Sequence, residues 1–151
     1  MIRDTWRRED DDAGEYRALA LARVLLVDDD PASRLTLQTV LTAGGYQVDA
    51  AASAAEAVGM LDDQAYELVL SHLHLESPDA GLKVLGHARM MENKPATALV
   101  TTYRSSPQAR SQAAVLIEPE DLPGLLTKVA DLISERATRR LERQMRHSLV
   151  Y

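Results

Sequence analysis

Short apolar segments alternate with amphipathic helical patterns along most of the chain, and this alternation constrains the fold more than any other feature. Five segments have the length and apolar content of buried strands: 23–27, 46–50, 66–71, 96–102 and 114–117. Helical patterns follow the first three segments and the fifth. Because strands that alternate with helices form a mostly parallel sheet covered on both faces, we predict a doubly wound α/β domain.

Residues with known capping roles mark the ends of the predicted helices. Asp30 can cap a helix that begins at Pro31, and Gly44 follows the end of that pattern. Ser53 and Glu56 have the spacing of a capping box ahead of the second helix. These signals place helix starts directly after the first two predicted strands.

The last helical pattern is longer than a helix that only covers the sheet. Its core-facing positions are Leu122, Leu125, Leu126, Val129, Leu132 and Ile133. Ala137, Leu141 and Met145 continue at four-residue spacing among arginines, and no glycine or proline ends the pattern. We predict one helix over about 122–147, on the order of 39 Å long, that extends beyond the domain.

Composition bounds the class of protein. A chain of 151 residues suits one well-cored domain, which we place at 23–134, between an N-terminal extension (1–22) and a C-terminal helical extension (135–151). The sequence has no cysteine, no secretory h-region and no apolar run of membrane-spanning length, so we expect a cytoplasmic protein without a membrane partner. A net charge of −6 makes nucleic acid an unfavourable partner.

Polar residues end two of the predicted strands. Asp28 and Asp29 follow the first strand, and His72 ends the third. In open α/β sheets, ligands bind outside the carboxyl ends of the strands where the strand order reverses. We therefore expect these three side chains to converge on one small pocket.

From about residue 23 to 134, the chain resembles the receiver domain of two-component response regulators. The resemblance is carried by VLLVDDDP at 24–31, YELVLSHLHLESPDAGLKVL at 66–85, ALVTTY at 98–103 and IEP at 117–119. It implies a flavodoxin-like (βα)5 sheet with strand order 2-1-3-4-5. It also implies an acidic pair that holds Mg²⁺, a phosphoacceptor aspartate ending strand three, a hydroxyl residue ending strand four and a lysine ending strand five.

The residues at these positions match the family only in part. Asp28 and Asp29 match the acidic pair, and Thr101 matches the switch hydroxyl, but His72 stands at the phosphoacceptor position and Glu118 at the lysine position. Phosphoryl transfer needs an in-line nucleophile, a bridging cation and positive charge near the equatorial oxygens. Because Glu118 would join Asp28 and Asp29 in an acidic pocket, we predict a receiver that is not phosphorylated on aspartate.

Two interpretations of the pocket stay open. In the first, His72 pairs with a neighbouring carboxylate and reduces the repulsion between acids. In the second, Asp28, Asp29 and His72 hold a divalent cation, either Mg²⁺ or a transition metal that imidazole favours. Neither interpretation requires a cofactor.

The C-terminal extension is the predicted interaction surface, through Ala137, Leu141 and Met145 together with Arg139, Arg140 and Arg143. It could pair with a second copy to form a homodimer, dock Trp6, Tyr16 and Leu19 of the N-terminal segment, or stay a solvated tail. The acidic run 9–12 should lie at the same end of the domain as these arginines.

We predict a degenerate, non-enzymatic, single-domain receiver in phosphorelay signalling. It would act by contact with a protein such as a sensor kinase or another regulator. The alternative is a small phosphatase resembling the haloacid dehalogenase superfamily, with Asp28 as nucleophile and Asp30 as acid/base.

Overall fold

A parallel five-stranded sheet forms the centre of the domain. The computed structural model describes residues 22–101, 116–118 and 121–149. Its strands are β1 (Arg23–Val27), β2 (Gln47–Ala51), β3 (Leu68–His72), β4 (Ala96–Val100) and β5 (Leu116–Ile117). They lie in the order β2-β1-β3-β4-β5, and every neighbouring pair is parallel. The sheet therefore has the predicted flavodoxin-like order.

Four helices belong to the described residues: α1 (Pro31–Ala43), α2 (Ala54–Asp63), α3 (Ala80–Arg89) and α4 (Leu122–Leu149). Helices α1 and α4 share one buried cluster with the sheet, and α2 and α3 share another. Helices therefore cover both faces, as the alternating pattern predicted. Residues 1–21, 102–115, 119–120 and 150–151 lie outside the described residues, and so do the predicted docking residues Trp6, Tyr16 and Leu19 and the acidic run 9–12.

The predicted caps determine where the first two helices begin. Asp30 accepts a hydrogen bond from the Ser33 amide, and Pro31 is the first helical residue. Ser53 accepts from the Glu56 amide at 3.1 Å, but Glu56 accepts in return from the amide of Ala52 and not from that of Ser53. The capping box is thus confirmed in its first half and shifted by one residue in its second.

Helix α4 has the predicted length and runs past the sheet. Leu125, Val129 and Leu132 are buried against the strands. Because the helix runs antiparallel to the strands, it passes their amino ends at Arg136 and then continues for about three further turns. None of the helices in the described part of the chain is long and apolar enough to span a membrane.

Candidate functional site

Asp28 and His72 come together at the carboxyl end of the sheet. Strands β1 and β3 are parallel neighbours in which Val27 is paired with Ser71, so the residues that follow these two lie side by side. The His72 Nε2 atom lies 2.9 Å from the Asp28 Oδ2 atom. The carboxylate is 1% exposed, whereas the imidazole is about one-fifth exposed. The structure thus places His72 beside a buried carboxylate, which is the proximity that the first interpretation requires.

The remaining polar groups of Asp28 are used in holding the loop after β1. Its Oδ1 atom accepts from the Asp30 amide at 3.0 Å, and its own amide donates to the Ala51 carbonyl. Its carbonyl accepts from the Arg34 guanidinium at 2.8 Å. The Oδ2 atom has His72 Nε2 as its close neighbour, but the two atoms do not meet the geometry of a hydrogen bond, and neither has a hydrogen-bond partner among the described residues. The 2.9 Å separation is therefore a close contact between two buried polar atoms.

The other residues predicted for the acidic pocket are less closely associated. Asp29 and Glu118 are both exposed, and Glu118 lines a small cleft with Asp121 near the start of α4. Thr101 is buried directly after β4, and its amide donates to the Ile117 carbonyl. The predicted concentration of three acids at one point is therefore reduced to a single buried carboxylate paired with histidine.

A metal site is not assembled at these strand ends. Within the described ranges, no group of three His, Cys, Asp or Glu side chains is arranged to hold a metal ion. The predicted set of Asp28, Asp29 and His72 does not form such a group, although Asp28 and His72 are in contact. The Mg²⁺ that the resemblance implies therefore does not fit these residues as they are arranged.

Asp30 also departs from one of its predicted roles. The phosphatase alternative needs the Asp30 carboxylate as a general acid and base at the strand tip. In the structure, this carboxylate accepts from the Ser33 amide and caps α1. The geometry therefore gives the phosphatase alternative no support.

Close packing fixes the backbone behind His72. The carbonyl of Leu73 accepts from the amide of Gly81 in α3. A Cβ atom on Gly81 would lie 1.9 Å from the His72 carbonyl oxygen, so only glycine allows this approach. The loop after β3 is tied to α2 as well, since the Glu76 carboxylate accepts from the Ala54 amide. His74 is exposed in that loop and does not join the pair.

The amino end of the sheet carries a second unusual group, the buried guanidinium of Arg136. It is 5% exposed, and it donates to the carbonyls of Asn93 at 2.7 Å and Lys94 at 3.0 Å. Burial lowers the pKa of Arg136, and the positive charge of Arg140 lowers it further. Arg136 begins the row of arginines in α4, but unlike Arg139, Arg140 and Arg143 it is buried.

The rest of the predicted interaction helix is exposed. Leu141 and Met145 are 58% and 57% exposed, which is high for large apolar side chains on a regular helix. Ala137 and the arginines at 139, 140 and 143 are exposed too. The predicted surface therefore exists in this structure as an open helical face.

Comparison with known proteins agrees with the fold and the sequence motifs. The family model described as "Response regulator receiver domain" matches residues 24–118. Transcriptional regulatory protein GlrR of Escherichia coli is 31% identical over 121 residues, which cover 77% of this chain and 27% of the relative. Response regulator protein FleR of Pseudomonas aeruginosa is 33% identical over 114 residues, covering 72% and 24%. The chain thus spans about a quarter of the length of these relatives.

Solved structures of receivers superpose on this chain. Response regulator TrrA of Thermotoga maritima, in complex with Mg²⁺ and BeF, is 28% identical with a TM-score of 0.64, and the match covers 74% of this chain and 99% of that one. A CheY-like receiver domain of Methanospirillum hungatei is 26% identical with a TM-score of 0.70, covering 79% and 98%. From its strand order, its motifs and these matches, the chain belongs to the response regulator receiver domain family.

Proposed function

We propose that this chain is a degenerate receiver that takes no phosphoryl group on aspartate and signals through protein contacts. The observation that carries the proposal is the 2.9 Å contact between the His72 Nε2 and Asp28 Oδ2 atoms. We propose the complete (βα)5 form for the domain. In that form, the contact occupies the position at which family members have the acceptor carboxylate beside the bound cation.

The chemistry of the pocket supports this proposal. A receiver phosphoryl group needs a carboxylate nucleophile, and the residue that ends β3 has an imidazole instead. It also needs positive charge to neutralise the transferred oxygens, but the residue after β5 is Glu118. With the buried Asp28 oxygen engaged by His72, neither a nucleophile nor a cation site is available in the family arrangement.

Incubation with acetyl phosphate and Mg²⁺ tests the proposal by intact mass. We expect no mass change in the wild-type protein. The matched control is the His72→Asp/Glu118→Lys variant, which restores the family residues at both positions and should gain one phosphoryl group. A wild-type phosphoryl adduct that persists in His72→Ala and is lost in Asp28→Asn or Asp29→Asn would contradict the proposal.

For its output, we propose that the exposed face of α4 beyond the sheet binds a protein of the signalling pathway, such as a sensor kinase or another regulator. Ala137, Leu141 and Met145 form the apolar seam, with Arg139, Arg140 and Arg143 beside it. Exposed apolar surface on a regular helix is a common docking feature. A second copy is the other candidate, although like-charged arginines on both helices would oppose such pairing.

Replacing Leu141 and Met145 with glutamate tests this output. Sedimentation velocity over a wide concentration range reports self-association, and pull-down with the intact chain reports protein partners. We expect the double variant to lose the contact, while the matched Thr138→Glu variant, on the same helix beside the seam, keeps it. A double variant that behaves like the wild type in both assays would overturn the proposed interface.

A further inference from the structure

A basic cleft lies at the amino end of the sheet, on the side opposite the Asp28 pocket. The extension of α4 and the turn before β4 enclose it, with a volume of about 460 Å³. Its charged lining residues are Lys94, Arg136, Arg139, Glu142, Arg143 and Arg146. Five of these six side chains are basic, so the cleft is suited to a negatively charged occupant.

The electrostatics of the helix strengthen this assignment. Between residues 136 and 149 the sequence has five arginines and one glutamate, whereas the whole chain has a net charge of −6. Arg136 already donates to two carbonyls, which leaves the exposed Arg139 and Arg146 at the mouth of the cleft. Packing so many guanidinium groups together is unfavourable unless an anion compensates them.

The chain carries an acidic segment that is long enough to reach this cleft. Glu9, Asp10, Asp11 and Asp12 are consecutive and precede β1. Ala22, the first described residue, belongs to the same buried cluster as Leu132 of α4, so the chain enters the sheet on the face that α4 covers.

The distances are compatible with such a contact. β1 and β4 are separated by β3, which places Ala22 and the turn at Lys94 about 10 Å apart along the same edge. Residues 13–22 connect Asp12 to β1, and an extended chain of ten residues spans up to about 33 Å. The helix from Arg136 to Arg146 spans about 15 Å. The acidic segment can therefore reach the whole length of the cleft.

We propose that the basic cleft of α4 binds the acidic segment 9–12 of the same chain. Guanidinium and carboxylate groups form charge-assisted, often bidentate hydrogen bonds, and four successive carboxylates match the row of arginines in charge. A short tether gives an effective concentration in the millimolar range, which favours this internal segment over a separate acidic partner.

Paramagnetic NMR on the full chain tests the proposal directly. The protein has no cysteine, so an Ala13→Cys substitution carries a single nitroxide next to the acidic segment. We expect broadening of the backbone amides of residues 139–146 at low salt. The broadening should be lost at 1 M salt, where the Debye length falls to about 3 Å.

Two variants of the labelled chain separate a specific contact from a chance encounter. Neutralising the acidic segment by Glu9→Gln, Asp10→Asn, Asp11→Asn and Asp12→Asn should remove the broadening. The matched control, Arg3→Gln, Arg7→Gln and Arg8→Gln, neutralises nearby residues of the opposite charge that lie outside the acidic segment, and it should retain the broadening. Broadening that is absent from the wild type, or unchanged by the acidic substitutions, would overturn the proposal.

The same samples identify any other occupant of the cleft. Chains that carry the nitroxide but no ¹⁵N are mixed with ¹⁵N-labelled chains that carry no nitroxide. We expect no broadening of the ¹⁵N-labelled amides in this mixture. Broadening there would make a second copy the occupant and overturn the proposal. Titration with duplex DNA tests nucleic acid as the occupant. If DNA shifts the amides of residues 139–146 equally in the wild type and in the acid-neutralised variant, the cleft is open to nucleic acid and the proposal is overturned.

Discussion

The two ends of the sheet treat buried charge in opposite ways. At the carboxyl end, the buried Asp28 carboxylate is paired with His72, a group on the adjacent strand. At the amino end, the buried Arg136 guanidinium donates to backbone carbonyls, and further arginines continue outward along the helix. The first arrangement keeps its polar contact inside the domain, whereas the second continues into exposed arginines on the surface.

The difference indicates which end of the domain is available to bind another molecule. At the carboxyl end, where phosphoryl chemistry takes place in the family, the Asp28 Oδ2 atom lies 2.9 Å from His72 Nε2, and in our proposal this contact closes the pocket. The opposite end, formed by the extended helix, has accessible apolar side chains and a basic cleft. We therefore expect substitutions at the carboxyl end to change mainly stability, and substitutions on the exposed part of α4 to change mainly binding.

The largest expected effect on stability is at the amino end. Arg136→Ala removes two charge-assisted hydrogen bonds and leaves the Asn93 and Lys94 carbonyls without their donor. We expect a loss of about 3 kcal/mol in the free energy of unfolding, measured by urea denaturation. The matched control is Arg139→Ala, an exposed arginine one turn further along, for which we expect a change within about 0.5 kcal/mol. Equal effects of the two substitutions would show that Arg136 is not the buried clamp.

Alanine substitutions at two glycines of α3 test how tightly the backbone is packed at the carboxyl end of the sheet. A Cβ on Gly81 would overlap the His72 carbonyl, whereas one on Gly86 would meet nothing within 4 Å. Gly81→Ala should therefore destabilise by about 2–3 kcal/mol, because backbone must shift to relieve the overlap. Gly86→Ala should stabilise by about 0.5–1 kcal/mol, since alanine is the better helix former. Similar unfolding midpoints for the two variants would contradict the tight packing behind His72.

The contact between Asp28 and His72 should contribute less to the free energy of unfolding than the buried Arg136 or the close packing at Gly81. His72→Ala leaves the buried Asp28 oxygen without its close neighbour, and we expect a loss of about 2 kcal/mol in unfolding free energy. A double-mutant cycle with Asp28→Ala measures the coupling between the two side chains. A coupling energy near zero would mean that the two groups are adjacent but independent.

Alkaline pH gives the smallest predicted effect, at the amino end. Burial and a 2.8 Å hydrogen bond to Asp49 raise the pKa of Tyr66 well above its ordinary value. A raised folded-state pKa gives stability that is fully present below the unfolded value, about 10, and is lost as pH rises toward the folded value. Tyr66→Phe should lose about 1 kcal/mol at neutral pH and show a shallower decline above pH 10. Burial also raises the pKa of Tyr46, which should account for the slope that remains.

The sequence was a good guide to the features that depend on local pattern. Strand positions and helix caps follow from apolar periodicity and capping residues, and the register of β1 and β3 brings Asp28 and His72 together as predicted. The length of α4 followed from the absence of a glycine or proline after Ile133. Each of these features depends on residues that are neighbours in sequence or on the regular geometry of parallel strands.

The features that sequence could not predict depend on distant contacts. The burial of Arg136 requires carbonyls 42 and 43 residues earlier, and a row of arginines looks alike whether one member is buried or not. The bond from Arg34 to the Asp28 carbonyl depends on how the first turn of α1 folds back on the strand tip. Asp29 lies exposed in the loop after β1, and the three predicted metal ligands do not form a metal-holding group among the described residues.

A titration of the ¹⁵N-labelled protein with beryllium fluoride and Mg²⁺, followed by amide NMR, tests directly whether the pocket at Asp28 and His72 accepts a phosphoryl mimic. The His72→Asp/Glu118→Lys variant is measured in parallel. If His72 closes the pocket by pairing with Asp28, the amides of residues 28–30, 72 and 101 should not move in the wild type, and they should move in the variant. Saturable shifts of the same amides in the wild type would show that the pocket still accepts a phosphoryl mimic and would contradict the account.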